Sequence, residues 1–183
     1  MLNMKTNMNY IFPLLPMLMA AINISCGGNY APLPTVSYVD PARYLGKWYE
    51  IARLPNKFQS QCDQSTAEYS KIDDETIRVV NRCSQLDSGK SSEASGKAFI
   101  VPNTGNAKLK VQFFWPFKGD YWIIALDTVG YQYVMVGEPS RKYLWILARE
   151  PKLELKVFAE LKKFAAEKGF DISKLIVSPA KML

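Results

Sequence analysis

The stretch Tyr44-Leu45-Gly46-Lys47-Trp48-Tyr49-Glu50-Ile51-Ala52-Arg53 decides the fold, because a glycine, one residue and a tryptophan open a run of alternating side chains. Such alternation is typical of a β-strand with one face turned to a core. Arg149 stands much later in the chain, at the end of another strand pattern and shortly before Pro151. An arginine laid across a tryptophan ring is a stabilising pair. We therefore predict a closed β-barrel with a floor formed by Gly46, Trp48 and Arg149 and an apolar cup above it.

Eight segments of the chain are short, rich in β-branched and aromatic residues, and separated by polar turns. Regular short strands of this kind predict an all-β fold. This pattern alone suggests a sandwich or an up-and-down barrel, and the landmarks at Trp48 and Arg149 point to the barrel. We therefore predict an eight-stranded antiparallel up-and-down β-barrel followed by one helix. The predicted strands cover residues 47–54, 65–72, 76–83, 93–101, 108–114, 121–127, 132–137 and 143–149.

The pattern changes after Pro151. Residues 152–168 predict an amphipathic helix that ends at Gly169, and residues 175–177 predict a short final strand. Packing on the outer wall of the barrel is favoured over a membrane-surface helix, because the charges of the helix are mixed in sign. The face turned to the barrel is predicted to carry Leu155, Phe158, Leu161 and Ala165.

The N-terminus has the form of a targeting segment. Lys5 precedes an apolar run over residues 10–21, which is too short for a secure membrane span. Small residues and Cys26 follow, so residues 1–25 resemble a bacterial lipoprotein signal peptide that leaves Cys26 to receive lipid. Asn23 departs from the aliphatic residue usual at that position, and ordinary secretion is the alternative.

The remaining chain divides into a linker and one domain. Residues 26–40 contain Pro32 and Pro34, which disfavour a helix, so this segment is predicted to space the domain from a membrane. Residues 41–183 are then predicted to form the barrel with its C-terminal helix.

The composition of the 183-residue chain narrows the classes of function. There is no histidine, which removes the usual general base and the commonest metal ligand. We therefore predict no enzyme activity, no catalytic residue, no cofactor and no metal site. The net charge of +6 comes without an arginine-rich run, so a nucleic-acid partner is not expected. The excess charge fits a solvated surface, with attraction to an anionic membrane as the alternative.

Two cysteines remain after Cys26. Folding residues 65–72 and 76–83 into a hairpin brings Cys62 and Cys83 close together across the ladder. An exported protein permits a disulfide there. We predict the bridge Cys62–Cys83, with two buried free thiols as the alternative.

Three ordered motifs resemble the lipocalin family. Gly46-Lys47-Trp48-Tyr49-Glu50 resembles the first conserved region of lipocalins, and Arg149 resembles the arginine of the third. Asp127 resembles the aspartate of the second region, where Leu126 and Thr128 replace the usual Thr and Tyr. The resemblance spans roughly residues 38–180.

Further segments are similar to the bacterial outer-membrane lipoprotein lipocalins, which are apolipoprotein D-like. The resemblance implies binding of fatty acids or lysophospholipids, with storage or transport of lipid at the outer membrane of a bacterial envelope. A second copy of the chain is retained as an alternative partner. The segments that carry this similarity are residues 44–53, 113–117, 144–147 and 168–171.

Strand alternation predicts which side chains line the cup. Apolar residues that share the inward face with Arg149 are the best candidates for ligand contact, although ordinary core packing explains them equally well. Gly96 and Ala98 are predicted to leave volume open, and Glu50 is predicted to be polar inside the barrel or paired near an end. The predicted ligand-binding residues are Trp145, Phe113, Val111, Tyr121, Leu147, Tyr143, Asn81, Val79 and Ala98, and Ala125 is predicted to share the inward face with Tyr121.

Two other functions stay open beside lipid binding. A barrel of this kind can hold an enzyme for lipophilic substrates, which would need a reactive thiol or paired carboxylates in the cup. A loop predicted over residues 114–117 is unusually apolar, so it is predicted either to contact a membrane or partner or to cover the cup as a lid.

Overall fold

The computed structural model describes residues 30–179. Nine strands and two helices follow the order expected from the strand patterns. The predicted signal peptide, Cys26 and the last four residues of the chain lie outside the described residues. The elements are α1 (Pro41–Tyr44), β1 (Gly46–Arg53), β2 (Gln64–Lys71), β3 (Thr76–Ser84), β4 (Ser91–Ile100), β5 (Lys108–Phe114), β6 (Phe117–Leu126), β7 (Tyr133–Gly137), β8 (Leu144–Ala148), α2 (Leu155–Glu167) and β9 (Ile176–Val177).

Strands β1 to β8 form a closed antiparallel barrel. Each strand from β2 to β7 pairs with the next along the chain, and β1 pairs with both β8 and β2, which closes the sheet. Short β9 pairs with Ala52 and Arg53 at the end of β1, beyond the part of β1 that contacts β2. The predicted eight-stranded barrel is confirmed, as are the helix after β8 and the short final strand. No helix within residues 30–179 is long and apolar enough to cross a membrane.

The barrel separates two apolar cores. One fills its interior and includes Trp48, Val134 and Val136. The other lies between the outer wall and α2, where Phe158, Leu161 and Ala165 of the helix are buried. Leu155, which we expected on the same face, is 60% exposed because the helix begins there and its first turn extends past the wall.

Bulges in two strands change which side chains point inward. In β1 the register shifts between Glu50 and Ala52, so that Ala52 packs with the outer core while Arg53 turns to the interior. In β6 it shifts between Ile123 and Ala125, so that Ala125 also packs with the outer core. The expectation that Ala125 shares the inward face with Tyr121 is therefore wrong, because one extra residue in a strand reverses its alternation.

The predicted apolar loop at residues 114–117 is instead the tip of a hairpin. Strand β5 runs to Phe114 and β6 begins at Phe117, with these two residues paired across the ladder. Only Trp115 and Pro116 connect them, through a cis peptide bond. Phe114, Trp115 and Phe117 are all exposed at this tip. Contact with a membrane or partner and a lid over the cup both stay predictions.

The described part of the predicted linker packs on the barrel. Leu33 and Val39 are buried, and the backbone N–H of Val36 donates to the carbonyl of Ile123 at 3.0 Å. The side chain of Asp40 then caps α1 by accepting from the N–H of Ala42. From Leu33 onward this segment is part of the domain rather than a free spacer.

The disulfide Cys62–Cys83 is present, which confirms the predicted pairing. It joins the segment before β2 to the end of β3, with the two Cα atoms 5.3 Å apart. The bridge therefore fixes the loop between β1 and β2 against the wall at one end of the barrel.

Candidate ligand-binding cup

The floor of the barrel is an arginine laid across a tryptophan. Trp48 is fully buried, and its indole N–H donates to the carbonyl of Tyr44 at 2.9 Å. The guanidinium carbon of Arg149 lies 3.8 Å from the centre of the Trp48 ring. The Arg149 guanidinium also donates to the backbone carbonyls of Lys47, at 3.0 Å, and Arg43, at 2.6 Å. Strand β1 and the chain before it are thereby fastened to the end of β8.

Gly46 is required at the floor for two reasons. Its φ of +92° lies in the region that side chains other than glycine rarely adopt, and a Cβ there would stand 3.4 Å from an Arg149 nitrogen. The glycine therefore lets β1 begin directly beneath the guanidinium. The structure places Gly46, Trp48 and Arg149 together at one end of the barrel.

Three tyrosines lie directly above this floor, and we call Tyr44, Tyr69 and Tyr121 the tyrosine triad. The Tyr121 hydroxyl hydrogen-bonds the Tyr44 hydroxyl at 2.7 Å and the Tyr69 hydroxyl at 2.8 Å. The ring of Tyr44 is 5.2 Å from that of Trp48, so the triad follows the floor without a gap. Tyr44 and Tyr69 are buried, whereas Tyr121 is half-buried on the side of the cup.

Burial extends the pH range over which all three phenols stay neutral to well above pH 10. Loss of solvent raises the pKa of Tyr69 to about 12 and raises the pKa of Tyr44 and Tyr121 well above the ordinary value for tyrosine. An unfolded tyrosine ionises near pH 10. The neutral phenols thus stabilise the folded state fully below pH 10, and this contribution is lost as the pH rises towards their folded pKa values.

The free energy of unfolding should therefore fall with pH above about 10, by about 1.4 kcal/mol per pH unit for Tyr69 alone. Urea unfolding between pH 9 and 11.5 measures the slope, and the variant with all three tyrosines changed to phenylalanine is the control for lysine titration. An equal slope in the wild type and in that variant would contradict the assignment.

The wall of the cup above the triad is apolar and only partly covered. Val111, Phe113, Tyr121 and Trp145 pack against the inner core, yet each keeps part of its surface accessible. Interior side chains that stay accessible are the ones a ligand can reach. Trp145 is further stacked on Tyr143, with ring centres 5.9 Å apart and planes inclined by 9°.

The other predicted lining residues lie at different depths. Val79, Ala98 and Leu147 are buried in the inner core, and Asn81 is exposed. Gly96 does not leave open volume, because a Cβ there would be 2.8 Å from the ring of Phe113, which already fills the space. All of the predicted lining residues stay predictions as ligand contacts. The partly covered side chains of the wall, described above, are the best placed to contact a ligand.

A polar network that alternation did not predict joins the wall to the loop between β1 and β2. Glu50 and Arg53 are both buried and form an ion pair of 2.7 Å. Arg53 also donates to the backbone carbonyls of Gln59 and Cys62, each at 2.9 Å. Strict alternation would place Glu50 and Arg53 on opposite faces, and the bulge between them brings both inside.

Gln59 connects this network to the cup. Its side-chain N–H donates to Glu50 at 2.6 Å and to the Ser65 hydroxyl at 3.1 Å, and its side-chain carbonyl accepts from the indole N–H of Trp145 at 2.9 Å. A residue from a loop thereby fixes the orientation of the tryptophan. The one available sequence signal was the pair of opposite charges three residues apart on an inward strand.

The open end of the barrel carries exposed aromatic side chains. Trp115 is 86% exposed at the tip of the hairpin, between Phe114 and Phe117, and Phe58 is exposed in the loop between β1 and β2. The ring of Phe58 is 6.2 Å from Tyr143, which links this aromatic rim to Trp145. An apolar surface therefore continues from the rim into the cup.

Comparison with known proteins agrees with this architecture. A family described as "Lipocalin-like domain" matches residues 39–180. The outer membrane lipoprotein Blc of Escherichia coli strain K12 is 40% identical over 169 residues, covering 89% of this chain and 95% of the relative. Temperature-induced lipocalin-1 of Arabidopsis thaliana is 38% identical over 156 residues, covering 80% of this chain and 82% of the relative.

A solved structure gives the same result for the fold. Insecticyanin from the tobacco hornworm Manduca sexta superimposes with a TM-score of 0.66 at 23% identity, covering 86% of this chain and 93% of that one. The described barrel, its floor of tryptophan and arginine and the match over residues 39–180 lead to one conclusion: the chain belongs to the lipocalin family.

Proposed function

We propose that this protein binds single-chain lipids, either fatty acids or lysophospholipids, in the barrel and so stores or transports them. The observation that carries the proposal is the half-covered apolar wall of Val111, Phe113 and Trp145 above a sealed floor. Such a wall stabilises a bound acyl chain by about 25 cal/mol per Å² of apolar surface removed from water. A barrel closed at one end and lined in this way holds one small ligand.

We further propose that the protein is held at the outer membrane of a bacterium. Relatives at 40% identity are named outer membrane lipoproteins, and Cys26 follows a segment of lipoprotein-signal type. Removal of residues 1–25 would leave Cys26 to carry the lipid anchor. The aromatic rim at the open end supports exchange of lipid with an apolar surface.

The side chains inside the barrel support ligand binding and transport better than they support catalysis. Cys62 and Cys83 are joined in a disulfide, so neither is a nucleophile. Glu50 is paired with Arg53 rather than with the second carboxylate that the paired-carboxylate enzyme alternative would need. Within residues 30–179 no group of histidine, cysteine or carboxylate side chains is arranged to hold a metal ion.

Replacing Trp145 by alanine should weaken binding of hexadecanoic acid about tenfold, because it removes a large aromatic ring from the half-covered wall. Isothermal titration calorimetry measures the affinity without depending on the lost fluorophore. Trp122→Ala is the matched control, since Trp122 lies against the outer core beneath Lys108 and should leave the affinity within about twofold. Equal losses in both variants would contradict a ligand site at Trp145.

A further inference from the structure

The tyrosine triad places polar groups between the floor and the half-covered wall of the cup. Tyr44 contacts the floor through Trp48, and Tyr121 packs among the half-covered residues of the wall. A fully apolar tail reaching this depth would end against three hydroxyls rather than against hydrocarbon. A ligand end that can form a hydrogen bond therefore suits this position better than a terminal methyl group does.

Counting hydrogen-bond donors shows what the triad offers. Three phenols carry three O–H donors, and each O–H can donate once. The two bonds that Tyr121 makes to Tyr44 and Tyr69 use two of these donors. Whichever hydroxyl is the donor in each of these two bonds, one O–H remains unused. That O–H can donate to an acceptor on a ligand in the cup.

The acceptor that suits this position is uncharged. Within residues 30–179 no lysine or arginine donates to the three hydroxyls, and the guanidinium of Arg149 donates to backbone carbonyls of the floor instead. A buried carboxylate without a cationic partner is strongly disfavoured, whereas a hydroxyl or carbonyl needs only the one O–H.

We propose that the tyrosine triad is a ligand subsite at the bottom of the cup, which selects lipids carrying a neutral hydrogen-bond acceptor, such as a hydroxyl or keto group, at the end that enters first. This inference rests on the proposed binding of single-chain lipids in the barrel and adds a selectivity to it. A chain that is polar at both ends fits it best, because the other end stays in water at the open end.

Paired ligands that differ by one hydroxyl test the subsite. Hexadecanoic acid and 16-hydroxyhexadecanoic acid are titrated into the wild type and into the variant Y44F/Y69F/Y121F, which keeps all three rings. Removing the three hydroxyls together avoids leaving a buried one unpaired, so this variant should fold. Tyr133→Phe is the matched control, since Tyr133 packs with the outer core, on the other face of the barrel wall from the triad.

The expected result is a change in the ratio of the two affinities. The wild type and Tyr133→Phe should bind the hydroxylated acid about threefold or more tightly than the plain acid, whereas the triple variant should bind it about tenfold or more weakly than the plain acid. An unchanged ratio in the triple variant would overturn the subsite and leave the proposed function standing. Failure of the wild type to bind either acid would overturn the subsite and the fatty-acid part of the proposed function. Binding of the hydroxylated acid alone would support the subsite.

Discussion

Trp48→Ala is expected to lower the free energy of unfolding by about 3–5 kcal/mol, the range for removing a fully buried large aromatic side chain. The loss has two parts. The ring is fully buried between the floor and the tyrosine triad, and its removal leaves a cavity. The guanidinium of Arg149 also loses its contact with the ring. The backbone carbonyls to which it donates are then held less firmly in place.

Urea unfolding followed by circular dichroism measures this loss, with Trp115→Ala as the matched control. Trp115 is the same residue type but is 86% exposed, so its removal should change stability by less than about 0.5 kcal/mol. Where the alanine variant does not fold, Trp48→Phe gives a smaller loss in the same direction. A loss below about 1 kcal/mol for Trp48→Ala would show that the floor does not close the barrel.

Glu50→Leu is expected to destabilise the protein by about 3–5 kcal/mol, because it leaves the charge of Arg53 buried without its carboxylate partner. The two side chains are 2% and 3% exposed and are 2.7 Å apart, so water cannot replace the lost partner. Gln59 would lose its strongest contact with the wall at the same time. The loop between β1 and β2 should therefore loosen along with the barrel.

The double variant E50L/R53L separates the charge from the packing. It removes both ions, so it should be more stable than Glu50→Leu although it lacks one more native residue. Glu68→Leu provides the surface comparison, since the pair that Glu68 forms with Arg82 is about half-exposed and should contribute about 1 kcal/mol or less. A double variant no more stable than the single one would contradict a buried ion pair.

The sequence predicted the parts of this protein that depend on local pattern. Alternation and turn residues were enough for the strands, and the family resemblance paired Trp48 with Arg149. The hairpin between β2 and β3 placed Cys62 near Cys83. These features follow from neighbours along the chain or from motifs quoted as they stand.

What the sequence did not predict depends on bulges and on contacts between distant residues. One extra residue in β1 turns Arg53 inward beside Glu50, and nothing in the alternation marks where that residue lies. The triad joins Tyr44, Tyr69 and Tyr121, which come from three elements far apart in the chain. Only the closed barrel brings such side chains to one depth.

Native mass spectrometry of the protein incubated with hexadecanoic acid or lysophosphatidylcholine tests the central claim most directly. A single-chain lipid enclosed in the barrel predicts a complex of one lipid with one protein, and Trp145→Ala should reduce its population while Trp122→Ala does not. A protein that stays unliganded with both lipids would contradict the account. So would lipids that attach in several copies whether or not Trp145 is present.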